Sequence, residues 1–305
     1  GLEMIENITK SVVFPLVPAY NKNQDVNYAS TLNYIEHLQA LNASTLMTTA
    51  GTTQFHLLTN KEVLKLNTMC ADEFGGTTIA GLKPNSFRET KEQIKEHNAN
   101  LKGKNACLML LYPERYYDNE SIIRYFKDLA DISKFPVLIH GMFMRKGTGG
   151  TYNFKADLVN ELATHPNIIG MKEETNNLMD AYQFCKDVDT DNFGIIVAGG
   201  SQKRFSFLHS AGAQTFLSGV GSLFPSTDNL YHMLLKRGLY DDASKIKEDY
   251  ENELFDVFMK IGWHLSLRTA LKELNLISEY DRMPFIQPTK QQREMIIEVV
   301  SRITE

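Results

Sequence analysis

Short apolar runs rich in β-branched residues recur along the chain, at Val12–Val17, Thr45–Ala50, Thr77–Leu82, Ala106–Tyr112, Pro136–Gly141, Ile168–Glu173, Gly194–Gly200 and Thr215–Val220. Runs this short, bounded by turn-forming residues, read as strands buried on both faces. Between them, Ala29–Leu41, Lys61–Asp72, Phe87–Ala99, Glu120–Ser133 and Asn177–Lys186 place apolar residues at helical spacing beneath polar faces. Strands and helices therefore alternate without a break, and eight such repeats predict an α/β fold closed as a (β/α)8 TIM barrel rather than an open doubly wound sheet. The eighth helix is expected near Thr227–Lys236; beyond it the pattern is helical only, over Asp241–Leu274 and Thr289–Ser301. The expected organisation is a barrel over residues 1–237 with a C-terminal helical extension, 238–305, packed on it.

A chain of 305 residues with 43% hydrophobic content can bury such a core. The net charge is -5 and the basic residues are scattered among acids, so no nucleic-acid surface is expected. No run of about 18 apolar residues occurs, and Gly1-Leu2-Glu3-Met4 lacks the basic and apolar stretches of a secretion signal, so no membrane association is expected. Cys70, Cys107 and Cys185 are an odd number at wide spacing, without a CxxC pair, which points to a reducing cytoplasm and away from a disulfide framework. His56, His140, His165, His209, His232 and His264 form no spaced ligand set, so neither a metal nor another cofactor is expected.

In barrels of this kind the chemistry sits at the C-terminal strand ends and the loops after them. Here those loops read Ala50-Gly51-Thr52-Thr53, Tyr112-Pro113-Glu114-Arg115, His140 to Gly150, Lys172-Glu173-Glu174 and Gly199-Gly200-Ser201. Lys172 ends an apolar strand, where poor hydration favours the neutral amine, the form that attacks a keto carbon to make an imine. A lysine that reaches solvent beside Glu173 and Glu174 fits the same spacing. Gly51-Thr52-Thr53 offers hydroxyls and backbone N–H groups to a carboxylate, or a plain turn that caps the next helix. Arg145, in a loop with Gly147, Gly149 and Gly150, reads either as a bidentate clamp for an anionic substrate group or as a surface arginine. His140 reads as a proton carrier near neutral pH or as a satisfied core residue.

Taken in order, these segments resemble the dihydrodipicolinate synthase and N-acetylneuraminate lyase family over nearly the whole chain. The resemblance is carried by Gly51-Thr52-Thr53 with Leu58-Thr59, Ile79-Ala80-Gly81, Phe126-Lys127-Asp128-Leu129-Ala130, Pro136-Val137-Leu138-Ile139, Arg145 with Gly147, Pro166-Asn167-Ile168-Ile169-Gly170-Met171-Lys172-Glu173, and Ala270-Leu271-Lys272 with Met283-Pro284-Phe285. The segment ending at Lys172 is the most specific, because it ends on the family's Schiff-base lysine. The resemblance implies that Lys172 forms the imine, that Thr52 and Thr53 hold the carboxylate of pyruvate, that the Gly199 carbonyl lines the pocket, and that the chain assembles as a dimer of dimers.

The sequence departs from that pattern at four places. His140 stands where the family carries its acid/base tyrosine. The family's Gly-Thr-Thr-Gly-Glu loop reads Gly51-Thr52-Thr53-Gln54-Phe55, and Glu114 falls where the synthases place a tyrosine contributed across the dimer. An insertion near Thr148–Thr151 lengthens the loop expected over the substrate. A tyrosine hydroxyl titrates near pH 10 and a histidine near pH 6.5, so the two cannot serve one relay unchanged. The expected activity is that of a Schiff-base lyase or aldolase making or breaking a carbon–carbon bond to pyruvate or a related 2-keto acid, with His140 moving protons. Dihydrodipicolinate synthesis proper and dehydration of a 2-keto-3-deoxy acid start from the same imine. A keto-acid-binding protein with weakened catalysis is the alternative of another class. A further reading takes Gly199-Gly200-Ser201 and Ser218-Gly219-Val220-Gly221 as a phosphate site, or else as turns demanded by barrel closure.

Overall fold

The computed structural model describes residues 1–304. Its strands, in chain order, are β1 (Phe14–Pro15), β2 (Thr45–Met47), β3 (Thr77–Gly81), β4 (Ala106–Leu110), β5 (Val137–Gly141), β6 (Met144–Arg145), β7 (Thr151–Tyr152), β8 (Ile168–Glu173), β9 (Gly194–Val197) and β10 (Thr215–Phe216). Eight of them pair in parallel in the order β1-β2-β3-β4-β5-β8-β9-β10. A parallel bridge between Val13 and Leu217 joins the last strand to the first, with Val13 N donating to Phe216 O at 3.0 Å and Ser218 N to Val13 O at 2.9 Å. The fold is thus a closed TIM barrel with helices outside it.

The period of two along each strand separates two apolar layers. Met47, Ile79, Met109, Leu138, Ile196 and Leu217 fill the barrel interior, while Leu46, Ala80, Leu108, Ile139 and Val197 face the surrounding helices. Five of those helices begin at a side chain that accepts a backbone N–H of the first turn: Asn27, Thr59, Ser86, Asp118 and Asn177. Such caps satisfy donors that a helix start leaves unpaired, so each βα loop ends in a fixed position.

All eight expected barrel strands are present, but β1 and β10 contract to two residues each. Three features differ from the sequence expectation. An N-terminal helix, Leu2–Thr9, sends Ile5 and Ile8 into the barrel-interior cluster, where Ile5 packs beside Gly170 and Gly194. The inserted segment supplies the turn and the first residue of the second strand of an antiparallel hairpin, β6–β7, in which Met144 pairs with Tyr152 and Arg145 with Thr151. The stretch Asp241–Leu274 is several helices: Tyr240–Ile246, a π-helical turn over Lys247–Asn252, then Glu253–Ile261 and Trp263–Glu273. Gly262, at φ 132°, makes the break before Trp263, and Lys290–Thr304 forms the last helix. Among the described residues, no helix is long and apolar enough to cross a membrane.

Candidate active site

The β5–β8 register sets His140 opposite Lys172, and the β8–β9 register sets Lys172 opposite Ile196 of the barrel interior. Gly141 permits this closeness: a Cβ there would collide with Met171 Cε and the Lys172 carbonyl. Lys172 and Glu174 share strand parity, so both side chains turn to the same side, while Glu173 turns the other way. Glu173 is fully buried and accepts Arg204 on both carboxylate oxygens at 2.8 Å and the Thr175 N–H at 2.7 Å. Its role is to anchor the loop after β8.

Lys172 Nζ lies 2.6 Å from Glu174 Oε1 and 3.3 Å from His140 Nε2, and His140 Nε2 lies 3.1 Å from the same Oε1. The three groups form a closed triangle. The Lys172 and His140 side chains are each 3% exposed, and Glu174 is 22% exposed. Burial alone would raise the Glu174 carboxyl, but Lys172 and then His140 outweigh it and hold the group well below the usual carboxylate range. Burial, reinforced by the Lys172 ammonium, pushes His140 below its ordinary value against the opposing effect of Glu174. Near neutral pH the triangle therefore contains a carboxylate and a neutral imidazole against the amine. The Phe55 ring meets the edge of His140, centroids 6.4 Å apart, and stacks on His56 at 4.1 Å. The altered loop after β2 has thus placed an aromatic wall beside the triangle.

The other expected site residues fall into separate places. Gly51, Thr52 and Thr53 form one 3-10 turn after β2. The Thr53 hydroxyl is committed to the barrel wall: it donates to Leu16 O at 2.6 Å and accepts the Ala50 N–H at 3.1 Å. Thr52 instead lines a cavity of about 530 Å³ with Gly199, Leu217, Phe255, Met259 and Trp263. Gly199 sits there at φ 86°, a left-handed conformation that favours glycine. Arg145 lies on the β6–β7 hairpin, more than half exposed, with its Nε 3.4 Å from Glu114 Oε1. It borders a different cavity, shared with Phe55, His56, Tyr112 and Met142. The structure brings Lys172 to His140 and Thr52 to Gly199, and it gives Arg145 no hydrogen bond to any of them.

The phosphate reading fails on geometry. A phosphate at Gly199-Gly200-Ser201 needs the first N–H groups of the following helix, Ser201–Leu208. The Gln202 and Lys203 N–H groups already donate to the two carboxylate oxygens of Glu251, at 2.8 and 2.9 Å. In the second loop the Gly221 N–H donates to Ser218 Oγ, whose hydroxyl donates to Asp228 at 3.0 Å. Both loops are turns tied to buried acids.

Two features escaped the sequence reading. Glu251 and Asp228 gave no local signal, because they come from separate helical segments. Glu174 entered only as a partner for a lysine reaching solvent, although its parity with Lys172 is visible in the sequence.

The model of the dihydrodipicolinate synthetase family matches residues 8–303. A 4-hydroxy-tetrahydrodipicolinate synthase from Streptococcus mutans is 26% identical over 298 residues, covering 96% of this chain and 97% of that protein. The dihydrodipicolinate synthase structure from Oceanobacillus iheyensis superposes with a TM-score of 0.83 at 19% identity, covering 98% and 97% of the two chains. A prophage protein of the dihydrodipicolinic acid synthase family from E. coli K12, solved in complex with pyruvate, gives a TM-score of 0.80 at 14% identity over 96% and 98%. The barrel, the order of its motifs and this match over nearly the whole length agree: the chain belongs to the dihydrodipicolinate synthetase family.

Proposed function

We propose that Lys172 attacks the keto carbon of pyruvate or a related 2-keto acid, and that the chain works from the resulting imine. It is a Schiff-base lyase or aldolase that makes or breaks a carbon–carbon bond to that unit. The observation that carries this reading is the near-complete burial of Lys172 Nζ at the C-terminal end of β8, between a histidine and a glutamate within hydrogen-bond reach. An amine held this way has partners to take its protons and little water to compete for the imine. Binding of pyruvate by the related E. coli K12 protein supports the choice of electrophile.

In this reading the keto-acid carboxylate is held at the Gly51-Thr52-Thr53 turn. Thr52 contributes its hydroxyl and backbone N–H, while Thr53, whose hydroxyl donates to Leu16 O and whose N–H donates to Ala50 O, fixes the turn that presents them. The Gly199 carbonyl lines the same cavity, which extends under Phe255 and Trp263 and has room for the rest of the substrate. His140 moves protons at Lys172, and Arg145 meets a polar group of a longer substrate from the hairpin side. The imine is covalent, so the reaction calls for no cofactor. Three free, buried cysteines suit a reducing cytoplasm, and the assembly is a dimer of dimers, which sedimentation tests. The experiment for the chemistry is borohydride reduction in the presence of pyruvate followed by peptide mass analysis. The expected result is a stable adduct on Lys172; an unmodified Lys172 removes the mechanism.

A further inference from the structure

We infer that Glu174 is a catalytic residue of imine formation, carrying one of the two protons that must leave Lys172 Nζ while His140 carries the other. The inference rests on the imine reading above. Its starting point is the proton count. The ammonium nitrogen begins with three protons and ends, as an iminium, with one; the carbonyl oxygen departs as water with two. Two protons must therefore travel from nitrogen to oxygen. Among the described residues, the side chains within hydrogen-bond distance of Nζ are two, Glu174 Oε1 at 2.6 Å and His140 Nε2 at 3.3 Å.

The steps balance with these two groups alone. Nζ first gives a proton to His140 Nε2, and the imidazolium is stabilised by Glu174 Oε1, 3.1 Å away. The freed lone pair adds to the keto carbon, the carbonyl π electrons move to oxygen, and that oxygen takes the proton from His140. The nitrogen, still carrying two protons and a positive charge, then gives one to Glu174 Oε1. Glu174 delivers it to the new hydroxyl, the carbon–oxygen bond breaks, water leaves, and the nitrogen lone pair closes the imine. His140 returns neutral and Glu174 returns as the carboxylate.

Three observations favour a working carboxylate over an inert counter-ion. A single oxygen, Oε1, is shared by both partners, so a proton can pass around the triangle without rotation of the carboxyl. Glu174 is the member of the triangle with appreciable exposure, 22% against 3% for each of the others, so it is the one that can exchange a proton with a group outside the triangle. The anchoring role is already filled by Glu173 through Arg204 and the Thr175 N–H. The ionisable groups facing Glu174 are Lys172 on β8, the strand it follows, and His140 on β5, with His56, from the turn after β2, acting on His140.

The test is a quenched-flow time course of borohydride trapping with pyruvate, read by mass, for wild type, Glu174→Gln, Glu174→Ala and Glu174→Asp. The expected result for Glu174→Gln is a trapping rate lower by about 10²- to 10⁴-fold, the range of a lost general acid–base group, with the long-time yield kept. Glu174→Asp recovers part of that rate, and added formate accelerates Glu174→Ala but not wild type. Trapping at the wild-type rate in Glu174→Gln overturns the inference. So does a slow Glu174→Ala that ignores formate together with a Glu174→Asp as slow as Glu174→Gln, which would leave Glu174 a positioning residue. Wild type that never traps pyruvate overturns the imine reading itself, a result distinct from either.

Discussion

Two clusters of buried carboxyl groups sit at the same end of the barrel and are driven in opposite directions. On the β5–β8 side, Glu174 lies against the Lys172 ammonium and is held ionised despite its burial. On the β9–β10 side, Asp228 and Glu251 have hydroxyl, amide and backbone N–H partners and, among the described residues, no cation bonded to them. Burial, first of all, pushes Asp228 up to about 7 and Glu251 up to about 8, with Asp228 adding to the rise at Glu251. Asp228 Oδ2 has no hydrogen-bond partner among the described residues, and a buried oxygen left so is costlier charged than protonated. The difference teaches what makes one cluster reactive: desolvation alone yields a neutral acid that ties loops together, whereas desolvation beside an amine yields a charged base next to an exchangeable proton.

Lys172→Met should erase that distinction, and it carries the largest expected effect. Turnover should fall on the order of 10⁵- to 10⁶-fold, the scale seen when a covalent nucleophile is removed, and no borohydride adduct should form. The Glu174 carboxyl, now beside a neutral thioether, should rise toward the behaviour of Asp228 and Glu251. Breaking a buried pair from one side costs about 3 kcal/mol at the lower end of the usual range, appropriate to a glutamate that keeps some exposure. Thermal unfolding at neutral pH reads that loss. An unchanged melting temperature would show that Lys172 and Glu174 do not depend on each other.

His140→Phe leaves the Lys172–Glu174 ion pair in place and removes one acceptor from the triangle. We expect turnover to drop by about 10²- to 10⁴-fold while borohydride still traps an adduct with pyruvate at long times. Full turnover in this variant, measured as pyruvate release over a panel of sugar acids and hydroxy keto acids, would take His140 out of the chemistry.

The sequence showed the barrel more fully than the site, and the reasons are local. Ile168–Glu173 is present residue for residue, because a strand buried on both faces must be an unbroken apolar run and Asn167 ends it cleanly. At β1, Pro15 has no N–H for the ladder, and at β10 the chain turns into the 3-10 segment Val220–Ser222, so both strands are shorter than their apolar runs. Lys172 was legible from its position, but its pairing with His140 depends on a register shift between Val137 and Leu138 that no local pattern reveals. Glu174 shares parity with Lys172 in the sequence, but that parity counts only if the extended backbone continues past Glu173, and the structure shows that it does: Glu173 binds Arg204 and Glu174 binds Lys172. Arg145 was open between a clamp for an anionic group and a surface arginine, because Gly147, Gly149 and Gly150 mark a loop without fixing where it leads. The burial of Met144 and Tyr152 pairs that loop into a hairpin and turns Arg145 toward Glu114.

The smallest effect tests the other half of the comparison through pH. The ordinary values of Asp228 and Glu251 are 3.8 and 4.5, and in the folded chain they are raised to about 7 and about 8. A raised carboxyl binds more protons folded than unfolded between those limits, so its contribution to stability is fully present at acid pH and is lost as pH rises through about 7 to 8. Glu174 has the opposite sign, since its lowered carboxyl costs stability only as pH falls below the ordinary carboxylate range. Lowered histidines, His140 among them, also gain stability as pH rises toward their ordinary value of 6.5, so the β9–β10 pair is read from the difference between wild type and Asp228→Asn over pH 5.5 to pH 8.5. Asp228→Asn keeps an acceptor for Gln202 and Ser218 but cannot ionise, so its melting curve should depend on pH less steeply than that of wild type. It should melt above wild type at pH 8.5 by a few degrees, corresponding to about 1–2 kcal/mol for a chain of this size. Parallel pH profiles for the two proteins would mean that Asp228 ionises without cost, and the contrast between the clusters would then rest on Glu251 alone.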